Sequence, residues 1–223
     1  MGGYYTERLS AQRLRECYEI APPRVRQYLD AEIQHVAGRI RPTDTVLESG
    51  CGYGRVMEKL APRARRLVGI DTSRASLALG RDLLRGVANC WLLRMDAVRT
   101  GFRDGVFDVV VCIQNGISAF HVDQRALVVE SVRIARPGGR VLFSSYSAKF
   151  WDARVEWFRL QSARGLLGEI DWAATGGGAI VCKDGFRATT LGPDDFVGLA
   201  SDLNVERRIE EVDGSSLFCE LRV

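Results

Sequence analysis

In VLESGCGYGRV, Val46 to Val56, an apolar run carries an acidic residue, Glu48, and then places glycine at every second position, Gly50, Gly52 and Gly54. Glycines between a first strand and a first helix let the backbone approach a ligand closely, at the edge where doubly wound sheets bind nucleotide-like molecules. Spacing narrows the ligand. A dinucleotide fingerprint, GxGxxG, wants its third glycine where Arg55 stands, and no Gly-Lys-Ser/Thr follows to make a P-loop. Charge narrows it further, because Glu48 would repel a pyrophosphate and attract a cationic group. The other acidic residues in comparable positions are Asp71, in LVGIDTS, and Asp96, in LLRMDAV, each closing an apolar run.

The elements that must hold these residues alternate. TVLESG, RLVGID, CWLLRMD, FDVVVCIQ and GRVLFSSYS read as strands, and YGRVMEKLA, SRASLALGRDLLRG and QRALVVESVRIA as the helices between them. Such alternation predicts an α/β fold, a Rossmann-like doubly wound sheet that is mostly parallel, with strands buried on both faces. Residues 1–41 read as a helical cap broken at Pro22-Pro23, and 42–147 as the core. Residues 148–192 read as an aromatic helix followed by an inserted β ribbon, and 193–223 as a closing helix and an antiparallel hairpin turning at Asp213-Gly214. One domain of 223 residues accommodates all of this.

Taken together, the ExGxGxG of LESGCGYG and the later motifs in their order resemble the class I S-adenosylmethionine-dependent methyltransferases, over residues 42 to 147. The resemblance implies S-adenosylmethionine as cofactor, S-adenosylhomocysteine as product and no metal. It implies cofactor contacts from Glu48, Gly50, Cys51, Gly52 and Gly54, and from Asp71 with Thr72 at the ribose. Asp96 and the amide of Ala97 are implied at the adenine, and Gln114 and Asn115 beside the methionine portion. Plain readings of the same residues are a helix cap at Asp71 and a turn-capping role at Asp96. Asp108, at the start of the fourth strand, reads as structural, and Pro137-Gly138-Gly139 as the turn before the fifth.

Transfer of a sulfonium methyl asks mainly for alignment of a nucleophile and exclusion of water. A base is needed only where the acceptor must lose a proton, and His121, just past the Gln114-Asn115 loop, is the candidate. In the cap, Tyr18, Arg26 and Tyr28 are candidate contacts for a closing lid. The loop Gln114-Asn115-Gly116-Ile117 lacks the (D/N)PP(Y/F) of amide and adenine-amine methylating relatives, so the chain looks more like the small-molecule branch that contains the ubiquinone and menaquinone biosynthesis enzymes. The expected partner is a small-molecule acceptor with a nucleophilic O, N or C. The competing readings are a non-catalytic cofactor-binding protein, a nicotinamide-dependent oxidoreductase, disfavoured by Arg55 and Glu48, and an RNA methyltransferase. A formal charge of +3 gives little reason to expect nucleic acid. Six cysteines without a CxxC pair, and only His35 and His121 to join them, argue against a structural zinc. The thiols, and the lack of any apolar run of membrane-spanning length, suit a cytoplasmic protein.

Overall fold

The computed structural model describes residues 4–223, apart from the side chains of residues 6 and 7. Three helices come first, α1 (Tyr4–Glu7), α2 (Ala11–Glu19) and α3 (Pro23–Ala37). Pro22 takes the extended N-cap conformation of α3 and Pro23 its first turn, where no proline amide is missed. The alternating core follows as β1 (Thr45–Ser49), α4 (Arg55–Leu60), β2 (Arg66–Asp71), α5 (Arg74–Leu83), β3 (Cys90–Arg94), β4 (Phe107–Cys112), α6 (Gly116–Ala119), α7 (Gln124–Ile134) and β5 (Ala135–Tyr146). Beyond it lie α8 (Trp151–Ala163), a ribbon of β6 (Ile180–Val181) and β7 (Arg187–Ala188), α9 (Pro193–Leu199), β8 (Glu206–Val212) and β9 (Ser216–Arg222).

Seven strands form one sheet in the order β3-β2-β1-β4-β5-β9-β8. The five core strands are parallel, and β9 and β8 add antiparallel at one side. The sheet is thus the Rossmann-like, mostly parallel one expected. Strand order reverses between β1 and β4, and the crevice at such a switch point is where open α/β sheets bind ligands. The run FDVVVC fits this position, since Val109, Val110, Val111 and Cys112 are all buried between helices of the two faces.

Two expectations change in detail. β3 is not buried on both faces: Trp91 and Leu93 are exposed, β3 being one of the two edge strands of the sheet. The turn at Pro137-Gly138-Gly139 is built inside β5 as an irregularity. Pairing jumps from Phe107–Ala135 to Val109–Arg140, and of the skipped residues Arg136, Pro137 and Gly138 are exposed, Gly138 with φ +75°. Asp108 beside it accepts the Thr45 N–H at 2.7 Å and pairs with Arg136, the structural role its position suggests.

One apolar cluster lies on each face of the sheet, and a third lies outside it. The third joins segments that are distant in sequence: Leu9, between the first two helices, and Cys17, Tyr28 and Leu29 of α2 and α3 pack with Phe150, Trp157 and Phe158 around α8 and with Phe186 of the ribbon. The helical cap and the insertion therefore share one core. It is pinned by the Trp157 indole N–H donating to the Cys17 carbonyl at 2.8 Å, and by Arg13 donating to the Gly165 and Leu166 carbonyls.

Candidate functional site

A cavity of about 240 Å³ opens at the switch point, running from the ends of β1, β2 and β3 to the shared core of cap and insertion. The loop after β1 forms its floor. Gly50, Gly52 and Gly54 have φ of +74°, +54° and +81°, the left-handed region that only glycine enters without strain. Ile70 accepts both the Gly50 and Cys51 amides, which folds the loop back onto β2. A side chain at Gly50 would find no room, because its Cβ would stand 2.1 Å from the Phe120 ring.

Three acidic residues stand along this floor in different states. Glu48 is buried, and its Oε2 has no hydrogen-bond partner. Burial pushes its carboxyl up to about 8; Arg55 pulls against that shift and Asp71 adds to it. Asp71 accepts the Gly52 N–H at 2.9 Å and the Ser73 N–H at 2.7 Å, so one carboxylate ties the glycine loop to the start of α5. Burial raises the Asp71 carboxyl, and the amides of Ser73, Gly52 and Thr72 oppose the rise. The helix-capping role falls to Ser73, whose hydroxyl accepts the Ser76 N–H. Asp96 is exposed at the far end, where it lines the cavity and also caps a turn by accepting the Val98 N–H at 3.0 Å. Cys51, Thr72, Ala97 and Met95 line the cavity as well.

Beyond β4 the chain makes two successive left-handed residues, Gln114 at φ +57° and Asn115 at φ +61°. Their side chains part company. Gln114 lines the cavity and accepts from Arg55 at 2.6 Å. Asn115 is buried away from it, accepting from Ser145 and donating to the Thr189 carbonyl, both at 2.9 Å, so it fastens the insertion to β5. His121 is exposed at φ +52° and is not among the residues lining the cavity, whereas its neighbours Phe120 and Val122 are. In the cap, Tyr18 and Tyr28 line the cavity; Arg26 is exposed on a second, open groove and donates to the Ala21 carbonyl.

Several lining residues were outside the sequence expectation. Arg55 matters there only for spoiling a glycine spacing, yet its guanidinium lies 4.2 Å over the Tyr18 ring and within reach of Gln114. Tyr146 and Gln161 join Tyr28, Trp157 and Phe158 to wall the inner end of the cavity. Gln161 is one of two polar residues on the buried side of α8, with Arg154 beside Trp157 and Phe158, and that helical spacing is the one signal that could have marked it.

The donor set suits S-adenosylmethionine. A buried carboxylate oxygen without a partner answers a cationic amino-acid tail, the left-handed glycines leave backbone open to close approach, and carboxylates of β2 and β3 stand where hydroxyl and amino donors would need acceptors. A sheet of this order with such a crevice defines a class I methyltransferase fold. Residues 46–139 match the family described as Methyltransferase domain. The core of this chain is thus similar in sequence to methyltransferase domains over residues 46–139, and similar in fold to S-adenosylmethionine-dependent methyltransferases. It is 36% identical over 104 residues to a ubiquinone biosynthesis O-methyltransferase of Pseudomonas paraeruginosa, a match spanning 45% of this chain and less than half, 44%, of that protein. It is also 34% identical over 84 residues to a probable ribosomal RNA small subunit methyltransferase A of Methanosarcina acetivorans, across 38% of this chain and 30% of that one. In fold, the structure of a DhpI-SAM-HEP complex matches with a TM-score of 0.66 at 22% identity, covering 99% of this chain and 94% of DhpI. No helix among the described residues is long and apolar enough to cross a membrane.

Proposed function

We propose that this protein is an S-adenosylmethionine-dependent methyltransferase whose acceptor is a small molecule. The observation that carries the reading is the single cavity that joins the Glu48, Gly50 and Asp71 floor to an enclosed aromatic end. When bound, S-adenosylmethionine supplies an electrophilic methyl on a good leaving group. Asp71 and Asp96 take the ribose and adenine donors, and Glu48 faces the ammonium of the amino-acid tail. Arg55 offers the carboxylate of that tail a cation held on the Tyr18 ring.

The inner wall of Tyr28, Tyr146, Trp157 and Phe158 fits a compact, largely apolar acceptor and excludes water from it. Gln161 lies on that wall as a polar group able to orient such a molecule. Alignment is then the main contribution of the protein. His121 points to a weaker version of the reading, in which the loop after α6 must bring it to the acceptor before it can act as a base.

Calorimetry with S-adenosylhomocysteine tests the cofactor assignment. The wild type binds it, and Asp71→Ala weakens binding by roughly a hundredfold, because a charged acceptor for two hydroxyls is lost. Unchanged affinity in that variant would falsify the ribose assignment. Labelled S-adenosylmethionine with whole cell extract, fractionated afterwards into small molecules, protein and RNA, then tests transfer; label appearing only in the RNA fraction would move the acceptor to the other class.

A further inference from the structure

Glu32 takes no part in the site described so far, yet it touches the segment that shapes it. It lies on α3 in the middle of an apolar stripe, with Val25, Tyr28, Leu29, Ile33 and Val36, and is fully buried. Its Oε2 accepts the Gln114 N–H at 2.6 Å and the Ser144 hydroxyl at 3.0 Å, and its Oε1 accepts the Ser216 hydroxyl at 2.6 Å. No basic side chain is within ion-pairing distance of it among the described residues. A buried carboxylate without a counter-charge is costly to keep, and three donors from β4's end, β5 and β9 are what hold it there.

The amide it holds starts the left-handed pair Gln114-Asn115, a conformation that costs free energy in residues with side chains. That turn aims the Gln114 carboxamide at Arg55, and Arg55 in turn lies over Tyr18 and acts on Glu48. The chain of contacts therefore runs from Glu32 through Gln114 to Arg55, and so to the residues facing the amino-acid end of the cofactor. We propose that Glu32 is a positioning residue that sets the Gln114 turn, and with it Arg55, for cofactor binding. This rests on the cofactor reading given above.

Protonation gives the device a pH dependence. Burial pushes the Glu32 carboxyl up to about 7, against the lowering effects of Ser216, Ser144, the Gln114 amide and Arg55. The titratable groups around it are Arg55 from α4, Tyr28 on α3 itself, Cys112 at the end of β4 and Tyr146 at the end of β5; Ser216 on β9 does not titrate. Ionised Glu32 gives Gln114 a charge-assisted acceptor, so cofactor affinity rises as pH climbs through about 7. Stability runs the other way. The folded value lies above the ordinary carboxyl value of 4.5 that the unfolded chain keeps, so the folded state binds more protons between 4.5 and about 7, and this residue's contribution to stability is lost as pH rises across that window. A carboxyl that was only buried would still move stability with pH but would leave cofactor affinity unchanged, so the affinity profile is the discriminating one.

The test measures S-adenosylhomocysteine affinity and urea stability from pH 5.5 to 7.5 in wild type, Glu32→Gln and Glu32→Ala. Wild-type affinity is expected to fall roughly three- to tenfold towards pH 5.5 while stability increases. Glu32→Gln, which keeps an acceptor for Gln114 but cannot ionise, removes Glu32's share of both pH dependences and leaves only the slope that Glu48, pushed up to about 8, gives every variant across the range. Glu32→Ala binds roughly tenfold more weakly at pH 7.5. Superimposable wild-type and Glu32→Gln profiles would overturn the proposal.

Hydrogen exchange of the peptide spanning residues 110 to 118 provides a readout that needs no cofactor. Faster exchange in Glu32→Ala, with Glu32→Gln restored towards wild type, supports the positioning role, and equal exchange in all three refutes it. If the wild type binds no S-adenosylhomocysteine at any pH, the cofactor reading fails, while the exchange data still decide what Glu32 does to the turn.

Discussion

The floor of the cavity is made of backbone and short carboxylates drawn from strand ends close together in the sheet, at Glu48, Gly50, Asp71 and Asp96. Its inner end is made of large side chains brought from opposite parts of the sequence, as in the Trp157 contact to Cys17, 140 residues apart. The floor must match one cofactor atom by atom, and strand ends in a parallel sheet can supply that geometry repeatedly. The inner end needs only shape and apolarity, which many combinations of residues provide. Most of the floor lies within the matched span 46–139, and nearly all of the inner wall lies outside it.

That contrast can be broken first at Gly50. Gly50→Ala must bear both a left-handed φ of +74° and a Cβ 2.1 Å from Phe120, so roughly 2–5 kcal/mol of stability is lost in urea titrations along with cofactor binding. Adding Phe120→Ala relieves the clash and not the backbone strain, so only part of the loss should return. Full recovery would mean that the glycine is there for space alone.

At the inner end, Trp157→Phe removes the donor to the buried Cys17 carbonyl and some packing, lowering stability by about 1–3 kcal/mol. S-adenosylhomocysteine affinity measured by calorimetry stays within about threefold of wild type. A drop comparable to that of Asp71→Ala would show the two ends to be one energetic unit. The smallest effect belongs to His121→Gln. With the side chain exposed and off the cavity wall, melting temperature shifts little, and methyl incorporation in the extract assay stays within about twofold. A loss of tenfold or more would restore it as a candidate base.

How far the site was legible follows the same division. Glycine spacing and strand ends picked out the loop after β1, Glu48 and Asp71, and the family resemblance added Asp96; all of them line the cavity, at strand ends that lie close together in the sheet. Asn115 was grouped with Gln114 because the loop resembles the family's, yet successive left-handed residues send neighbouring side chains in different directions, and Asn115 went to Ser145 and Thr189. Arg55 was read for the glycine it replaced, and its contact with Gln114 depends on a turn 59 residues away. Glu32 did leave a trace in sequence, a carboxylate inside the apolar stripe of α3. Its partners lie on β5, β9 and the loop after β4, which no local pattern connects to it.

By itself the sequence determined the alternating α/β order, the parallel core with its closing hairpin, and the cradle after β1, since each depends on hydrophobic period or on glycine's freedom over a few adjacent residues. Tertiary structure alone decided which face each loop residue shows to the cavity, and that the cap and the insertion close one aromatic chamber. It also decided that buried Glu32 would meet Gln114. Those outcomes depend on contacts between distant segments, and the cost of burying a charge is set by which donors the whole fold brings to it.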